Sequence, residues 1–167
     1  STGKVVNGEE VGELSVTGTN DFETIYTDTA RKALIIVCKN CAMDSKSEIS
    51  AFAFYPDSVG FVNEPVFRMD ANKIRELSAK SGHHKTSKFQ PSAASIHPVT
   101  KKLFIISSAS SQLVIADQNG NPEQVFELGE KLFPQPEGLT FKNDGTMYIS
   151  NEGVTAKATV LMFRFKP

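Results

Sequence analysis

One segment is written three times in this chain. PEGLTFKNDGTMYISNE at 136–152 overlays PSAASIHPVTKKLFIISS at 91–108 and FETIYTDTARKALIIVCK at 22–39. Pro136 falls on Pro91, Phe141 on Ile96, and Met147, Tyr148 and Ile149 on Leu103, Phe104 and Ile105, with one extra turn residue in the middle copy. Residues 34–37 fall on 103–106 in the same way. Each copy reads as strand, polar turn and strand, because its short apolar runs end at Gly, Pro, Asn, Asp or Ser. The interval is 45 residues from Ser92 to Glu137 and 69 from Glu23 to Ser92. An insertion at 71–90 accounts for the longer one.

Two further short runs complete the middle copy, giving strands at 92–96, 102–107, 112–117 and 123–128. A four-stranded antiparallel sheet recurring at about 45 residues is the mark of a β-propeller blade. Such a sheet is apolar on both faces and buries them only by stacking on its neighbours. The expected fold is therefore all-β, a single partial propeller over 1–167 with blades at about 22–70, 91–128 and 136–165. Residues 4–16 read as the end of an upstream blade or as a closing strand, centred on 10–16. DANKIRELSAK (70–80) predicts the one helix, with Asp70 as N-cap and Ile74 and Leu77 three apart. SGHHKTSK (81–88) predicts a basic loop. Three blades do not easily close a ring, and the chain does not start with Met, so the expectation is the C-terminal part of a longer propeller. Two chains completing one ring is the self-association alternative.

Composition narrows the partners. The formal net charge is -1, which disfavours nucleic acid or an anionic membrane held by bulk charge. The basic stretch from Lys80 to Lys88 has no interleaved aromatics, so it does not read as a nucleic-acid site. No run approaches the roughly 20 apolar residues of a membrane-spanning helix. Neither a Gly-rich phosphate loop nor a G-x-S-x-G elbow is present.

DFETIYTDTARKALIIVCK, PSAASIHPVTKKLFIISSASSQLVIADQNG and FPQPEGLTFKNDGTMYISNEG resemble successive blades of the SdiA-regulated, YjiK-like bacterial propellers. The order and spacing of PQPEGLTF and DGTMYISNE carry most of the resemblance, and parts are shared with NHL repeats. The resemblance spans about 4–165. It implies a propeller of five or six blades, periplasmic or anchored outside the cytoplasmic membrane in the bacterial envelope. It implies no reaction, because fold does not fix function.

In a propeller the first strand of each blade lines the central channel. The repeat alignment puts Glu23, Ser92 and Glu137 at one set of channel positions and Lys39, Ser108 and Glu152 at a second, with Asn151 beside Glu152. These are the candidate ligand-binding residues. Carboxylates converging on an axis suit a hard cation such as calcium, and Glu23, Glu137 and Asn151 are the candidate metal ligands. Some lactonase propellers, of the paraoxonase and gluconolactonase type, use Glu, Asn and Asp on such an axis for a catalytic metal. The competing reading pairs Glu23 or Glu137 with Lys39, because buried charge must be compensated.

CKNC (38–41) admits a redox pair, half a zinc site, or a local disulfide at a strand end. The surrounding strands favour the last, since a redox pair wants a helix after the first Cys. His83, His84 and His97 read as turn or solvated-loop residues, away from any candidate nucleophile. Three functions follow. The first is an envelope binding module for an unknown small molecule or envelope protein, without catalysis. The second is a calcium-dependent, lactonase-like hydrolase. The third is a protein-interaction scaffold.

Overall fold

The computed structural model describes residues 8–58, 60–82, 87–153 and 157–166. It is all-β apart from one helix, and its strands form three antiparallel sheets in chain order. The first sheet contains β1 (Asn20–Asp28), β2 (Ala33–Cys41), β3 (Glu48–Tyr55), β4 (Gly60–Phe61) and β5 (Phe67–Asp70). Helix α1 (Ala71–Lys80) leads to the second sheet: β6 (Ala93–Ile96), β7 (Leu103–Ser107), β8 (Gln112–Ala116) and β9 (Pro122–Glu127). The third holds β10 (Pro136–Phe141), β11 (Met147–Asn151) and β12 (Thr159–Phe163). Within each sheet, successive strands pair as up-and-down neighbours.

The strands of the second sheet show why the sheets stack. On β7, Leu103 and Ile105 join a core shared with Ile35, Val37, Ala51 and Met69 of the first sheet. The alternate residues, Phe104 and Ile106, join a second core with Ile149, Leu139 and Leu161 of the third. Successive side chains of a strand point to opposite faces, so an uninterrupted apolar run needs a partner on each side. LFIIS has such a run and is covered on both faces. The innermost strands follow the same order: β6 lies against β1 on one side and β10 on the other.

Two of the turns share a device. The carboxylate of Asp28 accepts from the backbone N–H of Ala30 and Arg31, both at 3.0 Å. At the aligned position, the Nδ1 of His97 accepts from the N–H of Val99 at 3.2 Å and Thr100 at 3.1 Å. An imidazole nitrogen thus replaces a carboxylate oxygen as acceptor in the turn, which fixes the remaining proton of neutral His97 on Nε2. Lys142 occupies this place in the third copy and cannot accept, and there Asp144 takes the N–H of Thr146 instead, at 2.9 Å. His97 is not the solvated turn residue expected: only 3% of it is exposed. It sits among Phe104, Phe141 and Phe165, with ring centroids 4.7–5.5 Å away. The aligned turn packs between two sheets, which pattern reading along one strand does not reveal.

The outer edge of β3 is divided between β4 and β5. One other expectation changes. The segment near 10–16 forms no strand: residues 8–16 are irregular. Gly8, Gly12 and the glutamates at 9, 10 and 13 lower its strand propensity. Among the described residues it does not pair with the third sheet, and residues 4–7 lie outside the described residues. It lies on the first sheet, with the backbone at Gly12 close against the Phe54 ring and Ser15 N–H donating to Asn63 Oδ1 at 3.1 Å. Among the described residues the outer edge of β12 has no strand partner, and Val160 and Met162 are exposed there. The helix forms as expected, with Asp70 capping Asn72 N–H at 2.8 Å, and it packs on β9. No helix among the described residues is long and apolar enough to cross a membrane. His83 and His84 lie outside the described residues.

Candidate functional site

The first strands of the three sheets meet at a cleft of about 260 Å³ lined by Glu23, Ser92 and Glu137 with their strand neighbours. Local backbone geometry sets the two acids apart. The β1–β2 register shifts between Phe22 and Thr24, passing over Glu23. The β10–β11 register shifts between Pro136 and Gly138, passing over Glu137. A β-bulge at the same point of two copies re-aims one residue out of the regular alternation. Next to it, a Cβ on Gly138 would stand 2.2 Å from Ser150 Oγ, so any larger residue there would have to turn that hydroxyl away.

Six of the seven sequence-predicted residues come together around this cleft. Lys39 Nζ donates to Glu23 Oε1 at 2.6 Å. That hydrogen bond holds the ammonium above its ordinary pKa, against some loss of hydration, and the charges of Glu23, Asp21 and Glu137 help. Loss of hydration pushes the Glu137 carboxyl up, and the charges of Glu23 and Glu152 add to the rise. A hydrogen bond from Ser108 and the charge of Lys39 oppose it without cancelling it. The Ser92 hydroxyl donates to the Pro136 carbonyl at 3.0 Å and accepts from Ser108 N–H at 3.3 Å, tying β6 to β10. Glu152 accepts from Gln135 Nε2 at 2.7 Å.

Asn151 is the exception. It is buried, and its amide donates to the Leu132 carbonyl at 3.2 Å and to Thr159 Oγ1 at 2.9 Å. It braces β11 against β12 and the preceding loop. Sequence reading missed Asp21, whose charge reaches Lys39. Register shifts on both sides of Phe22 break the alternation between Asp21 and Glu23, so strand periodicity gives no signal for it.

A cation at the cleft would need oxygens free to ligate it. Calcium takes six to eight oxygen ligands. Of the oxygens at the cleft, one from Glu23 is engaged by an ammonium, and Glu137 shares a hydrogen bond with Ser108. Among the described residues, one group of three metal-ligating side chains has its ligand atoms within 4.8 Å of one another: Cys38, Cys41 and Asp44. Its sulfurs are joined in a Cys38–Cys41 disulfide, and Asp44 accepts from Ser50 N–H and Oγ. That group does not fit a metal. The disulfide brackets Lys39 on β2 and so pins the strand that carries the cleft's ammonium.

Stacked antiparallel sheets whose first strands share a polar cleft define an all-β protein. The chain belongs to the SdiA-regulated family, whose model matches residues 55–155. No curated protein sequence matches it. Among solved structures it is similar to a candidate 6-phosphogluconolactonase from Bacteroides uniformis, at a TM-score of 0.53 and 15% identity. The alignment covers 89% of this chain and 38% of that one, so the chain spans well under half of that protein's length.

Proposed function

We propose that the three sheets are blades of a β-propeller in the bacterial envelope and that the cleft is a non-catalytic binding site for a small polar ligand or an envelope protein. The observation that carries the binding reading is the Lys39–Glu23 pair at 2.6 Å. It places a protein cation on the carboxylate that a catalytic metal would need. The serial stacking of sheets around β1, β6 and β10 supports the blade assignment. The Cys38–Cys41 disulfide supports an oxidising compartment. Self-association through the edge of β12, which has no strand partner among the described residues, is the partner arrangement that fits this reading.

A second reading is a calcium-dependent, lactonase-like hydrolase. It is favoured by Glu23 and Glu137 lining one cleft and by the fold shared with the Bacteroides uniformis protein. Thermal unfolding with and without calcium separates the two. A site with a Kd of about 1 mM adds about 1.4 kcal/mol at about 10 mM calcium. The binding-module reading expects no shift, and no hydrolysis of a δ-lactone. Calcium-dependent hydrolysis that disappears in Glu23→Gln or Glu137→Gln would establish the second reading in its place.

A further inference from the structure

We propose that the hollow between α1 and the second sheet is a separate binding site for a small organic anion with an apolar body, of the kind represented by a medium-chain carboxylate. The hollow has a volume of about 410 Å³, within the roughly 300–1,000 Å³ of small-molecule sites. Its floor is apolar: Ala71 and Ile74 of α1 and Phe89 are all buried. One wall is the hydrogen bond from Gln112 Nε2 to Ser78 Oγ at 2.8 Å, between two residues that are each under 5% exposed.

The rim is cationic and comes from three different parts of the chain. Lys46 stands in the β2–β3 turn, Arg75 on α1, and Lys88 in the segment before β6. Arg75 donates to Asn72 Oδ1, and Lys88 Nζ donates to Asn40 Oδ1 at 3.2 Å. Among the described residues none of these three cations has a carboxylate partner, and no carboxylate lines the hollow. A chain of net charge -1 has enough acids to pair them, yet leaves three cations around one opening. Uncompensated cations beside a cavity attract an anion. The apolar floor gains nothing from a bare inorganic ion, whose hydration would be lost there, and gains from a hydrocarbon or aromatic body. Both features together select an amphiphilic anion. The hollow takes Ala71, Ile74, Arg75, Ser78, Lys88 and Phe89 from the insertion and Lys46 and Gln112 from the sheets beside it, and it shares no lining residue with the cleft at Glu23.

The test uses four probes of the same protein: octanoate, 1-octanol, octylammonium and inorganic phosphate, titrated against amide and methyl resonances. Octanoate is expected to bind at least tenfold tighter than octanol or phosphate, with octylammonium weakest. Shifts should centre on Ile74, Phe89 and Gln112, and affinity should fall with ionic strength. The double variant Arg75→Gln/Lys88→Gln, confined to exposed side chains, should lose at least tenfold for octanoate and little for octanol. Lys46→Gln should lose less, and Lys131→Gln, away from the hollow, should behave as wild type. Absence of octanoate binding, equal affinity for octanoate and octanol, phosphate matching octanoate, or an unaffected double variant would each overturn the proposal.

Discussion

Gly120 offers a direct measure of how tightly the first two sheets are fitted together. It lies in the β8–β9 turn with φ at 77°, and a Cβ built on it would stand 2.3 Å from Phe67 Cδ2 and 2.8 Å from Cε2. Phe67 is buried on β5, in the neighbouring sheet, so its ring has little room to yield. Gly120→Ala therefore carries two costs. The left-handed backbone costs a residue with a Cβ roughly 1–2 kcal/mol, and forcing extra volume into a packed seam typically costs about 1–3 kcal/mol. Gly82 supplies the control: its φ is 79°, but nothing lies within 4 Å of a Cβ there. Gly82→Ala pays the backbone cost alone. Both variants restrict the unfolded chain equally, so that contribution cancels in the difference. Urea unfolding followed by far-UV circular dichroism should place Gly120→Ala about 1–3 kcal/mol below Gly82→Ala, at an unchanged slope. Equal stabilities would mean that Phe67 does not seat on this turn, and the inter-sheet packing described above would be wrong.

Two further predictions concern titration. Glu137 holds its proton above its ordinary value of 4.5, chiefly through lost hydration, so the folded state binds more protons than the unfolded one in that window. Its contribution to stability is full below 4.5 and is lost as pH rises through the folded value; Glu137→Gln should flatten this part of a stability–pH curve, and an unchanged curve would refute the assignment. His97 is the opposite case: burial lowers its pKa below 6.5, so its contribution is full above 6.5 and is lost as pH falls through the folded value. Nitrogen-15 spectra should show Nδ1 unprotonated at neutral pH. His97→Ala, which orphans two N–H groups and opens a space among three phenylalanines, should cost about 3 kcal/mol or more, with His97→Asn recovering part by restoring an acceptor.

Much of the architecture was legible because it is written in local periodicity. Apolar runs broken by Asn-Gly and Asp-Gly give strands and turns, and their recurrence aligned Glu23, Ser92 and Glu137 before any coordinates. The Asp70 cap and the helix after it were legible for the same reason, since capping is a contact between near neighbours in the chain. Residues 8–16 carry valines and a leucine that mimic a strand, yet they form none among the described residues, and Gly12 lies beside the distant rings of Phe54 and Phe61. Asn151 was grouped with the cleft by adjacency to Glu152, yet its partners Leu132 and Thr159 belong to a loop and a strand that adjacency does not reveal.

By itself the sequence determined short antiparallel strands, an intervening helix, and acids near the start of two first strands, because each depends on the period and turn chemistry of a short stretch. Only the tertiary structure decided that Lys39 closes on Glu23, that His97 takes a carboxylate's place inside an aromatic cage, and that Lys46, Arg75 and Lys88 surround one hollow. Those outcomes depend on which side chains meet across sheets, and such meetings are set by packing between distant segments, which no local pattern encodes.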